Sequence, residues 1–403
     1  MPPPPPASNL TRRRLLASAL LTLPISGSVR AASDLDRRIR ARMQRFLDQG
    51  DVPGVVTLAG ARSEVTSLVA LGHRNLQGGA MKSDTLFRIA SMTKPITAVA
   101  VMQLAEQGKL SVDDAVEKHL PEFKGQMLVR SREGGQVVLV PPSRTIRLRD
   151  LLTHTSGLPG SPPAGLADLY SRRHLSLAEA VMAFSQRPLD FEPGTRWSYC
   201  NTGIDTLGRV VEVVSGQGFE AYLDQYVFRP LGMRDTYFYP TRQSASREAQ
   251  ILNKVDGKLA AVPAPLVGSG VGARYPIPAG GLLSTAPDLA RLYRAMLGGG
   301  ELDGVRILSQ ATVREMTSLQ TGKLVTGFVP GMGFGFGWAH VREPQGVTAM
   351  LSPGTYGHGG AFGTQGWIDP VRDRFAILMI ARTGLPNGDA SDLRRDLQAE
   401  VWA

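Results

Sequence analysis

Ser91-Met92-Thr93-Lys94 sets a hydroxyl and an amine one helical turn apart, just ahead of the apolar run from Ile96 to Ala105. Residues at i and i+3 share a helix face. A serine hydroxyl is a weak nucleophile until a neighbour takes its proton, and a lysine stripped of its charge by a low-polarity site can be that neighbour. The same four residues also fit a serine that caps a helix beside a solvated lysine, so the rest of the chain has to decide. The helix is expected to stop at Glu106-Gln107-Gly108 and to be buried, with Ser91 at its start. Free N–H groups and the helix dipole at that end favour negative charge beside Ser91.

Two further groups follow in order. Tyr199-Cys200-Asn201 offers a phenol able to share a proton with a lysine, and an amide able to hold a neighbour and a substrate carbonyl. His358-Gly359-Gly360 comes just before the apolar stretch Arg374 to Ala381. Together the three groups resemble the serine β-lactamase and penicillin-binding superfamily, in its class C branch, which includes the family VIII carboxylesterases. Leu151-Leu152-Thr153-His154-Thr155-Ser156-Gly157-Leu158, Pro230-Leu231-Gly232-Met233 and Ala279-Gly280-Gly281-Leu282-Leu283-Ser284-Thr285 resemble framework segments of that family. The resemblance therefore extends from Ser33 onward. No G-x-S-x-G is present, which argues against an α/β-hydrolase nucleophile elbow and leaves Ser91 as the strong nucleophile candidate.

Composition agrees with a folded enzyme. The 403 residues are 42% hydrophobic and 20% charged, enough to bury a sizeable core. The formal charge of +10 falls to +6 without residues 1–31, which carry Arg12, Arg13, Arg14 and Arg30 and no acid. No run of Lys and Arg is interleaved with aromatics, so nucleic acid is not an expected partner. Thr11-Arg12-Arg13-Arg14-Leu15-Leu16 resembles a twin-arginine export motif, with an apolar stretch to Val29 and a possible cleavage site at Val29-Arg30-Ala31. Residues 1–31 are thus expected to be a signal peptide, residues 32–403 the mature chain, and the location periplasmic or secreted. The apolar run, about fifteen residues long, is too short for a lasting membrane anchor. Cys200 is the single cysteine, so no internal disulfide is expected.

Ser33-Asp34-Leu35-Asp36 reads as a capping box for an amphipathic helix with Leu35, Ile39, Met43 and Phe46 on one face. Gly54 to Gly60 and Glu64 to Gly72 read as a strand pair. Met127 to Arg130 and Val137 to Val140 read as a hairpin that decorates the site. Gly157 to Arg173 is expected to loop over the pocket with Tyr170 as a wall residue. Asp205 to Gly216 and Phe219 to Phe228 read as helices, and Thr285 with Asp288 caps another that ends at Gly298. Gly333 to Trp338, Gln365 to Asp369 and Arg374 to Ala381 read as closing strands. The order predicts an α+β sandwich, with one antiparallel sheet assembled from both chain ends, helices on its faces and a mainly helical lobe inserted. The α/β lobe would take about 32–90 plus 280–403, and the helical lobe about 91–279. The resemblance implies the same arrangement, with the site between lobes, Tyr199 on a loop and His358 at the start of an edge strand.

The resemblance also implies roles. Ser91 would attack a carbonyl carbon while Lys94 and Tyr199 share the work of moving its proton. The N–H groups of Ser91 and Ala361, beside Gly360, would hold the oxyanion, and Asn201 would bond Lys94 and the acyl side chain. Whether Lys94 or Tyr199 is the base stays open. The chain departs from the lactamase pattern at His358, which stands where those enzymes usually carry the lysine of Lys-Thr-Gly. An imidazole with an ordinary pKa of roughly 6.5 is mostly uncharged at pH 7, so an anionic β-lactam loses a partner and an uncharged ester loses nothing. A carboxylesterase acting through an acyl-enzyme is the expected function. A β-lactamase, a D-amino-acid peptidase and a non-turnover penicillin-binding or cell-wall-sensing protein remain alternatives. The expected partner is a small ester, amide or β-lactam. His154 is expected to make a structural hydrogen bond, and His73, His119, His174 and His340 show no ligand spacing, so neither metal nor cofactor is expected.

Overall fold

The computed structural model describes residues 1–3, 33–262, 272–385 and 388–403. The expected export segment lies outside the described residues from residue 4 onward. Five helices frame the unit that begins at Ser33: α1 (Asp34–Asp48), α2 (Thr93–Glu106), α3 (Asn201–Ser215), α4 (Ala286–Leu297) and α5 (Asp392–Trp402). Ser33 caps α1 with the expected reciprocal box, Asp36 N–H donating to Ser33 Oγ at 3.1 Å and Ser33 N–H to Asp36 Oδ2 at 3.3 Å. That pairing satisfies two of the free donors at the helix start. Ile39, Met43 and Phe46 then turn one buried face to the sheet.

The sheet has seven strands: β1 (Gly54–Gly60), β2 (Val65–Gly72), β3 (Met332–Phe334), β4 (Ala339–Val341), β5 (Tyr356–Gly359), β6 (Gln365–Asp369) and β7 (Arg374–Met379). Their spatial order is β3-β4-β5-β6-β7-β1-β2, antiparallel throughout. The two ends of the chain meet where β1 pairs β7, Val56 opposite Met379 and Leu58 opposite Ile377. Alternation then sorts the side chains between two layers. Val56, Leu58, Phe375, Ile377 and Met379 join the core that includes α2, α3 and α4. Val55, Ala59, Ala376 and Leu378 join α1 and α5 on the other face. Helices cover both sides, so β1 is buried at all seven residues, and each large apolar side chain enclosed this way contributes about 1.5–3 kcal/mol.

Several boundaries differ from expectation. Gly333 to Trp338 is not one strand: β3 ends at Phe334, the chain turns through Gly337 at φ 75°, and Trp338 precedes β4. A side chain at Gly337 would strike Ala98 of α2, so the glycine serves close packing as well as the turn. His358 does not begin an edge strand. It is the third residue of β5, which lies between β4 and β6. Pairing with β4 stops at Gly357, so the last two residues of β5 are bonded on the β6 side alone. The helix expected from Asp205 starts four residues earlier, at Asn201. The hairpin is present as Leu128–Glu133 and Gln136–Val140, joined by Gly134 and Gly135 at φ 55° and 80°, the backbone that a two-residue turn of this hand requires.

Candidate active site

Ser91 sits in a single 3-10 turn, Ala90–Met92, that leads into α2. It is therefore not a capping serine. Ala90, just before it, holds a left-handed φ of 45° although it is not glycine, a strained conformation that persists where neighbours enforce it. The enforcement is visible: Ile89 N–H donates to Leu282 O, Leu282 N–H to Thr93 Oγ1, and Thr97 Oγ1 to Pro278 O. The segment 278–284 is thus fastened along the start of α2.

Lys94 lies one turn on and is fully buried. Its Nζ is 3.0 Å from Ser91 Oγ and donates to Ala279 O at 2.7 Å. Burial pushes its pKa down to about 7, against the opposing negative charge of Asp205. A neutral amine in bonding contact with a hydroxyl can take its proton.

The backbone of Ala279 joins Lys94 to a group that sequence reasoning missed. Its N–H donates to Asp205 Oδ1 at 2.8 Å, and the other oxygen of Asp205 accepts from Tyr170 and Tyr275 hydroxyls at 2.9 and 2.6 Å. Burial raises the Asp205 pKa to about 6, and these three donors pull the other way. The expected role of Tyr170 is corrected by this: its ring stacks on Tyr275 and its hydroxyl braces Asp205, and it is absent from the cleft lining. Ile277 at φ 57° opens the turn that aims the Ala279 carbonyl, with Gly280 and Gly281 N–H groups returning to Ile277 O.

Tyr199 lies ahead of α3, its ring 4.6 Å below Lys94 Nζ and 4.6 Å from the ring of His154. His154, left-handed at φ 60°, accepts the Cys200 N–H on Nδ1 at 3.1 Å. Burial pushes its pKa well down, so it is a neutral prop for the Tyr199 segment, as the framework reading expects. Burial also raises the Tyr199 pKa, with the Ser91 hydroxyl as the group opposing that rise. Asn201 departs from expectation. Its backbone opens α3, its N–H goes to Gly160 O, and Lys94 is bonded to Ser91 and Ala279 instead.

The end of β5 closes the site. His358 Nδ1–H donates to Gly359 O at 2.6 Å, and burial, with the nearby Lys94 charge, lowers its pKa to about 4. Gly360 packs so closely on the nucleophile turn that a Cβ would lie 2.5 Å from Ile89 O and also strike Thr364 Oγ1. Ser91, Tyr199, Phe328, His358, Gly360 and Ala361 line a cleft of about 300 Å³. The hairpin of residues 128–140 contributes nothing to that lining. Among the described residues no cluster of His, Cys, Asp and Glu is arranged to hold a metal.

The signal for Asp205 was present, since it is an acid on the buried stripe Ile204, Leu207, Val210 and Val211 of α3, and buried acids need partners. Asp389 and Phe328 carried no such signal and enter the cleft only through the fold.

Residues 35–400 match the model of the family described as Beta-lactamase. This chain belongs to that family. The β-lactamase-like chain is 31% identical over 410 residues to Esterase EstB of Burkholderia gladioli, covering 94% of this chain and 98% of that protein. It is 33% identical over 366 residues to Penicillin-binding protein 4 of Amycolatopsis lactamdurans, covering 89% and 88%. Among solved structures it is similar to EstCE1, described as a hydrolase with promiscuous acyltransferase activity, at a TM-score of 0.76 and 27% identity over 92% of this chain and 98% of that one. The family is one of β-lactamase- and transpeptidase-like serine hydrolases, and the chain is an enzyme of that kind.

Proposed function

We propose that the chain is a carboxylesterase working through an acyl-enzyme on Ser91. The observation that carries this is a buried Lys94, its pKa near neutrality, within 3.0 Å of the Ser91 hydroxyl. Lys94 takes the proton as Oγ attacks the ester carbon. The carbonyl oxygen gains the negative charge and settles against the N–H groups of Ser91 and Ala361, the latter donating to no other described residue. Donors of this kind are each worth about 3–4 kcal/mol in the transition state. Tyr199, beside both Lys94 and Ser91, passes the proton to the departing alkoxide. Water then repeats the sequence on the acyl group.

A neutral His358 supports an ester over an anionic β-lactam, because the cation that would meet a carboxylate is missing at this place. The likeness to Esterase EstB supports the same reading, while the likeness to Penicillin-binding protein 4 favours a D-peptide amide as the second reading. Export by the twin-arginine route, through residues 1–31, belongs to the proposal and rests on Arg12-Arg13-Arg14.

The test compares the protein with Ser91→Ala on a short-chain nitrophenyl ester and a chromogenic cephalosporin, following rate and protein mass. Ester turnover lost in the variant, with little cephalosporin hydrolysis, is the expected result. Efficient cephalosporin turnover overturns the preference for esters, and a stable adduct without turnover makes the chain a binding protein.

A further inference from the structure

The cleft is lined by one charged side chain that the reaction above does not use. Asp389 stands beside His358 at the end of β5. Its Oδ1 accepts from Gln365 Nε2 at 2.9 Å and occupies the place where a Cβ on Gly359 would stand. Among the described residues it forms no ion pair. The nearby cation, Arg394, stacks on Trp367 at 3.9 Å and donates Nη1 to the Asp389 backbone carbonyl at 2.6 Å. It lines a small adjoining cavity that Asp389 and His358 also line, where the Asp389 charge opposes the fall that burial imposes on its pKa, and it is not part of the cleft wall.

His358 supplies the second group. A carbonyl can only accept, so the bond to Gly359 O places the ring proton on Nδ1. In a neutral imidazole the other nitrogen is then a lone-pair acceptor. That nitrogen, Nε2, is buried without a partner in a residue only 4% exposed that lines the same cleft. The wall beside the nucleophile therefore carries a carboxylate and, buried just behind its surface, an imidazole acceptor with no partner. A carboxylate or sulfonate on a substrate would meet acceptors and like charge here. A primary ammonium has three donors, no acceptor and the opposite charge.

We infer that Asp389 and His358 Nε2 form a subsite for a primary ammonium group of the substrate, so that favoured esters carry a positive charge within reach of the scissile carbonyl. The inference rests on the serine hydrolase reading and narrows its substrate class. A charge-assisted pair of bonds replacing a methyl contact is expected to raise kcat/KM by roughly tenfold or more.

Two matched pairs of esters test it by pH-stat at about pH 7. On the acyl side methyl 3-aminopropanoate is compared with methyl butanoate, and on the alcohol side 3-aminopropyl butanoate with butyl butanoate. In each pair an ammonium replaces a methyl group of similar size. One pair is expected to favour the ammonium ester, with the ratio collapsing toward one in Asp389→Asn. Taking the ratio within each variant cancels any general loss. Rising salt should also lower the ratio in the unaltered protein, a readout that needs no variant. Ratios near or below one in both pairs, with Ser91-dependent turnover of the neutral esters, overturn the subsite and leave the hydrolase standing. A preference that survives Asp389→Asn or is indifferent to salt overturns it too. Absence of turnover on all four esters overturns the carboxylesterase reading and the subsite with it.

Discussion

Asp205→Asn separates the charge of the buried acid from its shape. Asparagine keeps an oxygen to accept the Ala279 N–H, so the carbonyl that holds Lys94 stays aimed, while the negative charge disappears. The groups that face Lys94 are Asp205 and Cys200 from the α3 side, the Tyr199 ring, and the His154 and His358 imidazoles. Asp205 is the foremost of those that favour the ammonium. Two hydrogen bonds of 2.7 and 2.8 Å joined through the backbone of one residue, Ala279, put the charges roughly 7 Å apart, and at an effective dielectric of ~20 that is about 2.4 kcal/mol, or about 1.7 pH units. Losing the charge lowers the Lys94 pKa. A general base must be deprotonated to act, so the acidic limb of kcat/KM, set near pH 7 by Lys94 in the unaltered protein, should move toward about pH 5.5. The assay is kcat/KM for a neutral nitrophenyl ester across the acid range, with a thermal melt to show that the variant is folded. A limb that stays in place, or moves upward, refutes the assignment of Lys94 as the group whose ionisation gates the reaction.

Gly360→Ala should lower the melting temperature and lower kcat by about 10²–10³, the loss typical of one displaced oxyanion donor, because its Cβ would push the end of β5 off Ile89 O and carry the Ala361 N–H with it; a folded Gly360→Ala enzyme of full activity removes Ala361 from the oxyanion site. Stability should fall in acid for a separate reason. His154 and His358 are held neutral in the fold, the latter down to about pH 4, whereas unfolded histidine protonates near 6.5, so below that pH the unfolded chain binds more protons. His358 then costs up to about 1.4 kcal/mol per pH unit between roughly 6.5 and 4, and His154 acts in the same direction below 6.5; urea midpoints independent of pH over that window would contradict the neutral assignments.

Local patterns carried much of this architecture. The capping box at Ser33, the paired runs at Gly54 and Val65 and the Gly134-Gly135 turn are legible because each is set by residues adjacent in sequence. Ser91 and Lys94 are legible for the same reason, their spacing being a helix turn. The failures lie where tertiary contacts decide. Gly333 to Trp338 alternates like a strand, yet contact with α2 bends it at Gly337. Asn201 reads as a partner for Lys94, but the carbonyl of Ala279, invisible as a side chain, takes that place. Tyr170 falls in a Pro- and Gly-rich stretch that looks like a lid, and only the fold brings its hydroxyl to Asp205. Asp389 is one aspartate among many until β5 and β6 set it over the cleft.

The meeting of β1 with β7 has a consequence in time. Val56 and Met379 are neighbours in the sheet, but a ribosome working at about 5–20 residues per second delivers the second roughly 16–65 s after the first. Throughout that interval β1, mostly apolar, has β2 on one edge and nothing on the other, the kind of strand edge that recruits other chains. The nucleophile turn is made early, and the β5 segment that completes its cleft arrives near the close of synthesis. Newly made chains should therefore be inactive and sticky until the last strands arrive, so yield in a producing cell should respond to holding chaperones and to slower translation more than to changes in the finished enzyme's stability.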